Sequence, residues 1–353
     1  MAFELDELKN IIRDIKAIAF HMSVTNDSND RKAEGADLKM GDLSEKLNRV
    51  ESLFGNLQSE KITSQSSPKK HYNVAIVSII DNEFEALNEL FDFKNVENRQ
   101  ILSNGLRVWT TTFKQKINDN KELTLLFAKT KDPGNLSSFV VTNELLKEFD
   151  IDLMILCGIA AGVKGNSTIY SAGIGKKIVY YELQKLNDAE IQYRFEPLSI
   201  SSNLANEIDE VNDERWKLKL FQILRSKKLM IKEADLSNKT WIDPSWKDKL
   251  HIFSGVVFAG EKLLADGQEG KKLAKKNQVG KEVVAFEMEG YGFAFACKQN
   301  THSNWLVIRG ISDFGGKEKS TPINEKYQKV AAYSAVALIY DYLENICSPP
   351  IIK

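Results

Sequence analysis

Three acidic residues, Asp81, Glu83 and Glu85, follow a β-branched run of this 353-residue chain. Residues 74–80 have the composition of a buried strand, and α/β sheets place their ligand sites where strands end. A carboxylate in such a position can act as a general base or bind a ligand. The spacing by itself does not choose among the three.

Two further buried runs end in acidic residues in the C-terminal third of the chain. One leads into Glu287 and Glu289, and alternation along a strand places their side chains on one side and that of Met288 on the other. The other ends in Ser312 and Asp313, before a pair of glycines. Carboxylates from separate strand ends can supply a general acid and a general base to one site when their surroundings drive their pKa values apart.

A fourth strand end, at residues 155–162, carries small residues in place of acids. Such residues let a ligand approach the backbone closely. Arg309 lies on the predicted strand that follows the strand of Glu287. We expect these two residues to form a structural ion pair on adjacent strands rather than Arg309 to take part in catalysis.

Short β-branched runs alternate with helical periods from residue 73 onward, which indicates an α/β domain with a mixed β-sheet flanked by helices. The predicted strands are residues 73–79, 106–113, 123–129, 153–157, 177–182, 252–258, 283–287 and 305–311. The predicted helices are residues 83–90, 136–149, 291–298 and 325–343. Residues 187–250 are charged and weakly patterned, and we interpret them as an elaboration of the outer rim.

The N-terminal residues have a different pattern. Apolar residues spaced by three and four, first within residues 5–22 and again within 43–57, predict two helices joined by a polar loop. We therefore expect a helical hairpin or coiled-coil interaction region at 1–62, a linker at 63–72 and the α/β domain at 73–353. Two helices bury too little to be stable alone, so this hairpin is expected to pack across subunits, on the main domain or on a protein partner.

The composition restricts the partners. Lys plus Arg (48) balances Asp plus Glu (49), so a net charge of -1 gives the molecule no global field for nucleic acid or an acidic membrane. The three cysteines form no CxxC pair and the four histidines have no metal-ligand spacing, so we expect no metal site and a reducing, cytoplasmic location. No run approaches the ~20 apolar residues that span a bilayer.

The Met-Glu-Gly turn at residues 288–290 and the Ile-Ser-Asp at 311–313, in that order, resemble the nucleoside phosphorylase superfamily, and within it the 5′-methylthioadenosine/S-adenosylhomocysteine nucleosidases. The resemblance covers roughly residues 73–343. It implies a phosphorylase/hydrolase-like fold, cleavage of a purine N-glycosidic bond without a cofactor, and a homo-oligomer.

The resemblance also implies roles for individual residues. Asp313, positioned by Ser312, would protonate purine N7. Glu289 would accept hydrogen bonds from the ribose hydroxyls, and Met288 would pack under the sugar. Glu83 would orient and deprotonate water. The other residues that it implies in substrate binding are Gly158, Ile159, Ala160, Leu263 and Phe258.

Water is favoured over phosphate as the nucleophile. Phosphorylases of the superfamily carry a Gly-Asp-Pro-Gly-Arg type segment where this chain has residues 79–86, and phosphate would meet carboxylates there. A purine nucleoside phosphorylase and a nucleoside-sensing oligomeric scaffold are the alternatives.

The added N-terminal region resembles the fusions of phosphorylase-like defence effectors, some of which remove adenine from ATP. A triphosphate would need cations beside the sugar. The candidates, by their positions at strand ends, are Arg107, Lys129, Lys131, Lys176 and Lys177.

Overall fold

The structure, a computed structural model, describes residues 68–117, 121–182, 184–186, 191–193, 196–230, 245–261, 282–315 and 324–348. The described residues from Lys69 onward belong to one compact unit. The predicted hairpin at 1–62 and Leu263 lie outside the described residues.

The described residues form an α/β fold with a mixed sheet and flanking helices, as predicted. The strands are β1 (Lys70–Ser78), β2 (Arg99–Ile101), β3 (Arg107–Lys114), β4 (Glu122–Lys129), β5 (Phe149–Gly162), β6 (Ala172–Tyr180), β7 (Gln184–Leu186), β8 (Ile191–Tyr193), β9 (Leu198–Ser199), β10 (Ile252–Ala259), β11 (Val283–Glu287) and β12 (Trp305–Asp313). The helices are α1 (Asp81–Phe91), α2 (Asn135–Glu148), α3 (Ser202–Asp209), α4 (Asp213–Ser226), α5 (Gly290–Gln299) and α6 (Asn324–Asn345).

The strand order of the main sheet is β11-β10-β6-β12-β5-β1-β4-β3-β2, and β9 pairs with β6. Strand β5 runs parallel to both β1 and β12. Near its C-terminal end it also pairs antiparallel with β11, so one half of the sheet closes on itself. The ends of β1, β5, β11 and β12 therefore meet in one region.

Strand β5 is the centre of the core. Nearly all of its 14 residues are buried, because neighbouring strands cover both its edges and helices cover the sheet. The sequence predicted only residues 153–157 as a strand here, because the glycine and alanine residues that follow lack the usual β-branched signal. Those residues continue the strand into the region where the acidic strand ends meet.

The described part of residues 187–250 corrects the interpretation as an outer rim. Helix α4 packs against α6, where Trp216 and Leu220 are fully buried and Trp216 Nε1 donates a hydrogen bond to the Ser334 carbonyl at 3.0 Å. The many Lys, Asp and Arg residues of α4 lie on its other faces and hide this apolar stripe in the sequence.

The linker boundary also differs from the prediction, because β1 begins at Lys70 and takes up the last three residues of the predicted linker. No helix among the described residues is long and apolar enough to cross a membrane.

Candidate active site

Glu83 is the buried member of the three acidic residues after β1. It lies in the first turn of α1, where Oε2 accepts hydrogen bonds from the backbone N–H groups of Ile79 (2.8 Å) and Ile80 (2.9 Å). Its other oxygen, Oε1, accepts one from Ile159 N on β5 at 2.8 Å. The carboxylate is thus fixed from two elements.

The two alternatives to Glu83 point away from this place. Asp81 and Glu85 are exposed, and each forms an ion pair with a lysine, Lys129 and Lys94 respectively. Glu83 is therefore the acidic residue of this group that faces β5.

The turn after β11 is organised by Glu287. Its carboxylate accepts hydrogen bonds from the backbone of Glu289 (2.9 Å) and Gly290 (2.8 and 2.9 Å). A Cβ at position 290 would lie 2.7 Å from Glu287 Oε1, so only glycine fits there without displacing the carboxylate. This turn starts α5 and fixes the backbone of Glu289.

Arg309 lies among three buried carboxylates. Its Nη2 contacts Glu287 and lies 3.3 Å from Glu289 Oε2, so the ion pair predicted with Glu287 is confirmed and the two glutamates share one side of the strand end as expected. The predicted adjacency of the two strands is wrong, because β5 pairs with both β11 and β12 and lies between them.

Gly158 makes room for Arg309 and Glu83. A Cβ at this position would lie 1.9 Å from Arg309 Nη1 and 2.8 Å from Glu83 Oε1. The guanidinium nitrogen and the carboxylate oxygen therefore both approach one point beside β5. Arg309 Nη1 and Nε are buried and have no hydrogen-bond partner among the described residues.

Asp313 ends β12 beside the same strand. Ser312 Oγ lies 2.7 Å from Asp313 Oδ2, and Gly315 N donates to Oδ1 at 2.7 Å. In the β5 register Ala161 is paired with Asp313 on one side and with Phe286 on the other. The predicted acid and the turn that carries Glu289 thus flank the end of one strand.

Burial and charge act in opposite directions on these groups. Burial raises the pKa of Glu83, while Arg309 and the three backbone N–H groups lower it. Burial also raises the pKa of Glu289, to about 7, with Arg309 lowering it and Glu287 and Glu83 raising it further. Burial by itself would lower the pKa of Arg309, but the three carboxylates together raise it above its ordinary value.

The remaining predicted contacts fall into two groups. Gly158 and Ala160 are buried and Ile159 is half-buried on β5, all beside Glu83 or Ser312, and Met288 is half-buried beside Glu289. Phe258 is fully buried and its ring packs edge-on against Phe286 at 5.5 Å. Its contact with a substrate remains a prediction.

Two contributors to this site were not predicted from the sequence. Arg309 was expected only in a structural pair, and no role was expected for Gly134, whose backbone N–H donates to Glu289 Oε1 at 3.0 Å. Almost every residue type has a backbone N–H, so the sequence does not show which one donates to the site. The positive φ of Gly134 (110°), where glycine is favoured, is the feature behind the Pro-Gly pair in the sequence.

The described residues contain no cluster of three or more His, Cys, Asp or Glu that could hold a metal ion. What the arrangement offers is a fixed carboxylate, a second carboxylate of raised pKa, a guanidinium and a strand-end aspartate.

Comparison with known proteins supports the resemblance seen in the sequence. The model of the Phosphorylase superfamily matches residues 73–344, more than three quarters of the chain. The chain belongs to the phosphorylase superfamily. The matched region contains all the described side chains discussed above.

Two curated relatives and one solved structure are similar to the chain. The ATP nucleosidase Cap17 of Escherichia coli is 24% identical over 77% of this chain, which spans about half (51%) of that protein. A 5′-methylthioadenosine/S-adenosylhomocysteine nucleosidase of Maridesulfovibrio salexigens is 23% identical, over 60% of this chain and 78% of the relative. The corresponding enzyme of Helicobacter pylori has the same fold, with a TM-score of 0.54 at 15% identity, over 78% of this chain and 98% of that one.

Proposed function

We propose that the protein hydrolyses the N-glycosidic bond of an adenine nucleoside or nucleotide. The observation that carries the proposal is the meeting of Glu83, Glu289 and Asp313 around the end of β5, with Arg309 between the two glutamates. Cleavage of this bond needs a proton for the leaving purine, a nucleophile at C1′ and groups that hold the ribose as it becomes cationic.

The roles proposed are those that the family resemblance implies. Asp313 donates a proton to purine N7 with Ser312 holding its carboxyl, so the C1′–N9 bond breaks and adenine leaves neutral. Water attacks C1′, and Glu83 takes its proton. The ionised Glu289 accepts hydrogen bonds from the ribose hydroxyls and stabilises the positive charge that develops on the sugar.

Water is supported as the nucleophile by the surroundings of Glu83. Its oxygens already accept three backbone N–H groups, the donors that would otherwise bind a phosphate, and a phosphate would meet the carboxylate charge. Arg309 Nη1 also lies beside Gly158 and is a buried donor without a hydrogen-bond partner among the described residues, so it is a candidate to bind a ligand oxygen.

ATP is the nucleotide that the comparison with Cap17 favours. Among the five cations considered, Lys129 is paired with Asp81 and Lys176 with Asp209 at 2.6 Å. Lys129 lies at the end of β4, paired in register with Ser78 just before the Glu83 segment, and this position supports it as a candidate to bind a 5′ phosphate.

The experiment is an assay for free adenine with ATP, AMP, adenosine and methylthioadenosine, each with and without inorganic phosphate. Hydrolysis predicts adenine release without phosphate, whereas a requirement for phosphate would establish the phosphorylase instead. Release from methylthioadenosine alone would exclude a nucleotide substrate.

Asp313→Asn is expected to lower kcat by about 100-fold or more, because it removes the general acid. Asp92→Asn, an exposed residue at the end of α1 in a left-handed conformation that Asn also adopts, is the matched control. A scaffold that only senses the nucleoside would bind these compounds without releasing adenine, and Asp313→Asn would leave its biological effect unchanged.

A further inference from the structure

The first turn of α2 reaches the backbone and the side chain of Glu289. Gly134, just before the helix, donates its N–H to Oε1, and Ser138 Oγ donates to the Glu289 carbonyl at 2.7 Å. These contacts join residues more than 150 positions apart in the chain, so they depend on how the start of α2 is positioned relative to Glu289.

Asn135 ties this helix start to α5. It is buried, its Oδ1 accepts a hydrogen bond from Gly292 N at 2.9 Å, and its Nδ2 donates to Glu261 Oε1 at 2.9 Å. A Cβ on Gly292 would lie 1.8 Å from the Asn135 carbonyl oxygen, so the two helix starts are in backbone contact. Because α5 begins directly after Glu289, Asn135 fixes Gly134 relative to that carboxylate.

We propose that Asn135 is a positioning residue for the ribose carboxylate: it holds the Gly134 N–H on Glu289, and Glu261 orients its amide. The role of Glu289 rests on the proposed function. The amide offers Gly292 an acceptor and Glu261 a donor from two separate atoms, which the shorter hydroxyl of serine cannot do. Aspartate would set a second carboxylate against Glu261.

The charged groups around Glu289 make this role measurable. Arg309 and the Gly134 N–H lower its pKa, whereas burial, Glu287 and Glu83 raise it. The carboxylate of Glu261 also approaches Gly134. Loss of the Gly134 hydrogen bond therefore raises the pKa of Glu289 further and loosens its hold on the ribose hydroxyls.

The test is Asn135→Ala, with Asn135→Ser as a smaller change measured alongside to guard against poor folding. The pKa of Glu289, followed by carboxyl ¹³C NMR, is expected to rise in both variants. The preference in kcat/KM for adenosine over 2′- and 3′-deoxyadenosine is expected to fall by about tenfold, the effect of a weakened hydrogen bond to a charged group.

The matched control is Asn143→Ala in the same helix. Asn143 Oδ1 accepts from Asn300 Nδ2 at 3.1 Å and ties α2 to the far end of α5, so this variant should change neither readout. Glu261→Gln keeps the acceptor and should behave like the wild type, whereas Glu261→Leu should behave like Asn135→Ala.

Equal pKa values for Glu289 in the wild type and both Asn135 variants would overturn the inference, as would an unchanged preference for the ribose hydroxyls in an active enzyme. A wild type that cleaves no adenine nucleoside or nucleotide would refute the proposed function instead, and the NMR titration would still decide the role of Asn135.

Discussion

The absence of a side chain at Gly158 allows Arg309 and Glu83 to approach each other. Gly158→Ala would place a methyl group 1.9 Å from Arg309 Nη1, so the guanidinium must move. We expect kcat to fall on the order of 100-fold, since a displacement of about 1 Å has that effect, and stability to fall by about 1–3 kcal/mol from overpacking.

Steady-state kinetics and urea denaturation measure the two effects of Gly158→Ala. Gly105→Asn is the control, because a Cβ there meets nothing within 4 Å and Asn tolerates its positive φ of 84°. An active Gly158→Ala enzyme would show that the guanidinium does not need this place.

The raised pKa of Glu289 predicts how kcat/KM depends on pH. Its pKa is raised by burial to about 7, and in its proposed role the ionised carboxylate accepts hydrogen bonds from the ribose hydroxyls, so kcat/KM should fall as the pH falls through about 7. Glu289→Gln should lower kcat/KM by about 100-fold and remove this limb of the profile. If kcat/KM of the variant still falls as the pH falls through about 7, another group causes the fall.

The raised pKa of Glu289 also predicts how the free energy of unfolding depends on pH. A carboxyl group whose pKa is higher in the folded than in the unfolded state costs stability as the pH rises from about 4.5 to about 7. Glutamine stays neutral. Between pH 5 and pH 8 the unfolding free energy of Glu289→Gln, relative to the wild type, should therefore increase by about 2–3 kcal/mol in urea titrations. A constant difference would contradict the raised pKa.

At the scale of single residues, the sequence identified the types that meet in the site but not all their contacts. Glu83, Glu289 and Asp313 were found because they follow predicted strands, where α/β sheets place their ligand sites, and because they match the motifs of the family resemblance. The resemblance chose Glu83 over Asp81 and Glu85, and the structure supplies a physical reason, since Glu83 is the carboxylate that the Ile159 N–H reaches.

At the scale of elements, α6 is fixed at its C-terminal end by a side chain from another part of the fold. Gln115, which directly follows β3 and is fully buried, donates from Nε2 to the carbonyls of Leu343 (2.8 Å) and Cys347 (2.7 Å). Leucine at this position would fill a similar volume but leave both carbonyls buried without this donor.

Gln115→Leu should therefore lower the unfolding free energy by about 2–3 kcal/mol and increase amide hydrogen exchange in the last turn of α6, with kcat unchanged at 25 °C. The exposed Gln100→Leu on β2 is the control. Equal stability of the two variants would show that these hydrogen bonds contribute little.

Four of the six helices among the described residues were predicted well. The helices at 81–91, 135–148, 290–299 and 324–345 were placed within two residues at each end. Strand β2 and helix α3 were not found: β2 has three exposed residues, and α3 is a short helix with two buried apolar side chains in the segment 187–250, which was interpreted as weakly patterned.

At the scale of the whole molecule, the near balance of charges predicts how activity responds to salt. With a net charge of -1, no global field attracts a nucleotide, and a triphosphate must be held by local cations such as Lys129. Raising NaCl from about 50 to about 500 mM should increase the KM for ATP several-fold by screening and leave that for adenosine unchanged. A KM for ATP that does not change with NaCl concentration would argue against cations that hold the triphosphate.

Strand β5 has a consequence for the durability of the enzyme. Its first half lies deep in the interior and its second half carries the backbone groups that hold Glu83 and Ser312. We therefore expect the candidate site to have no melting step separate from that of the core. Heat or denaturant that releases Glu83 from β5 should also unfold the middle of the domain, so loss of the proposed activity should coincide with global denaturation.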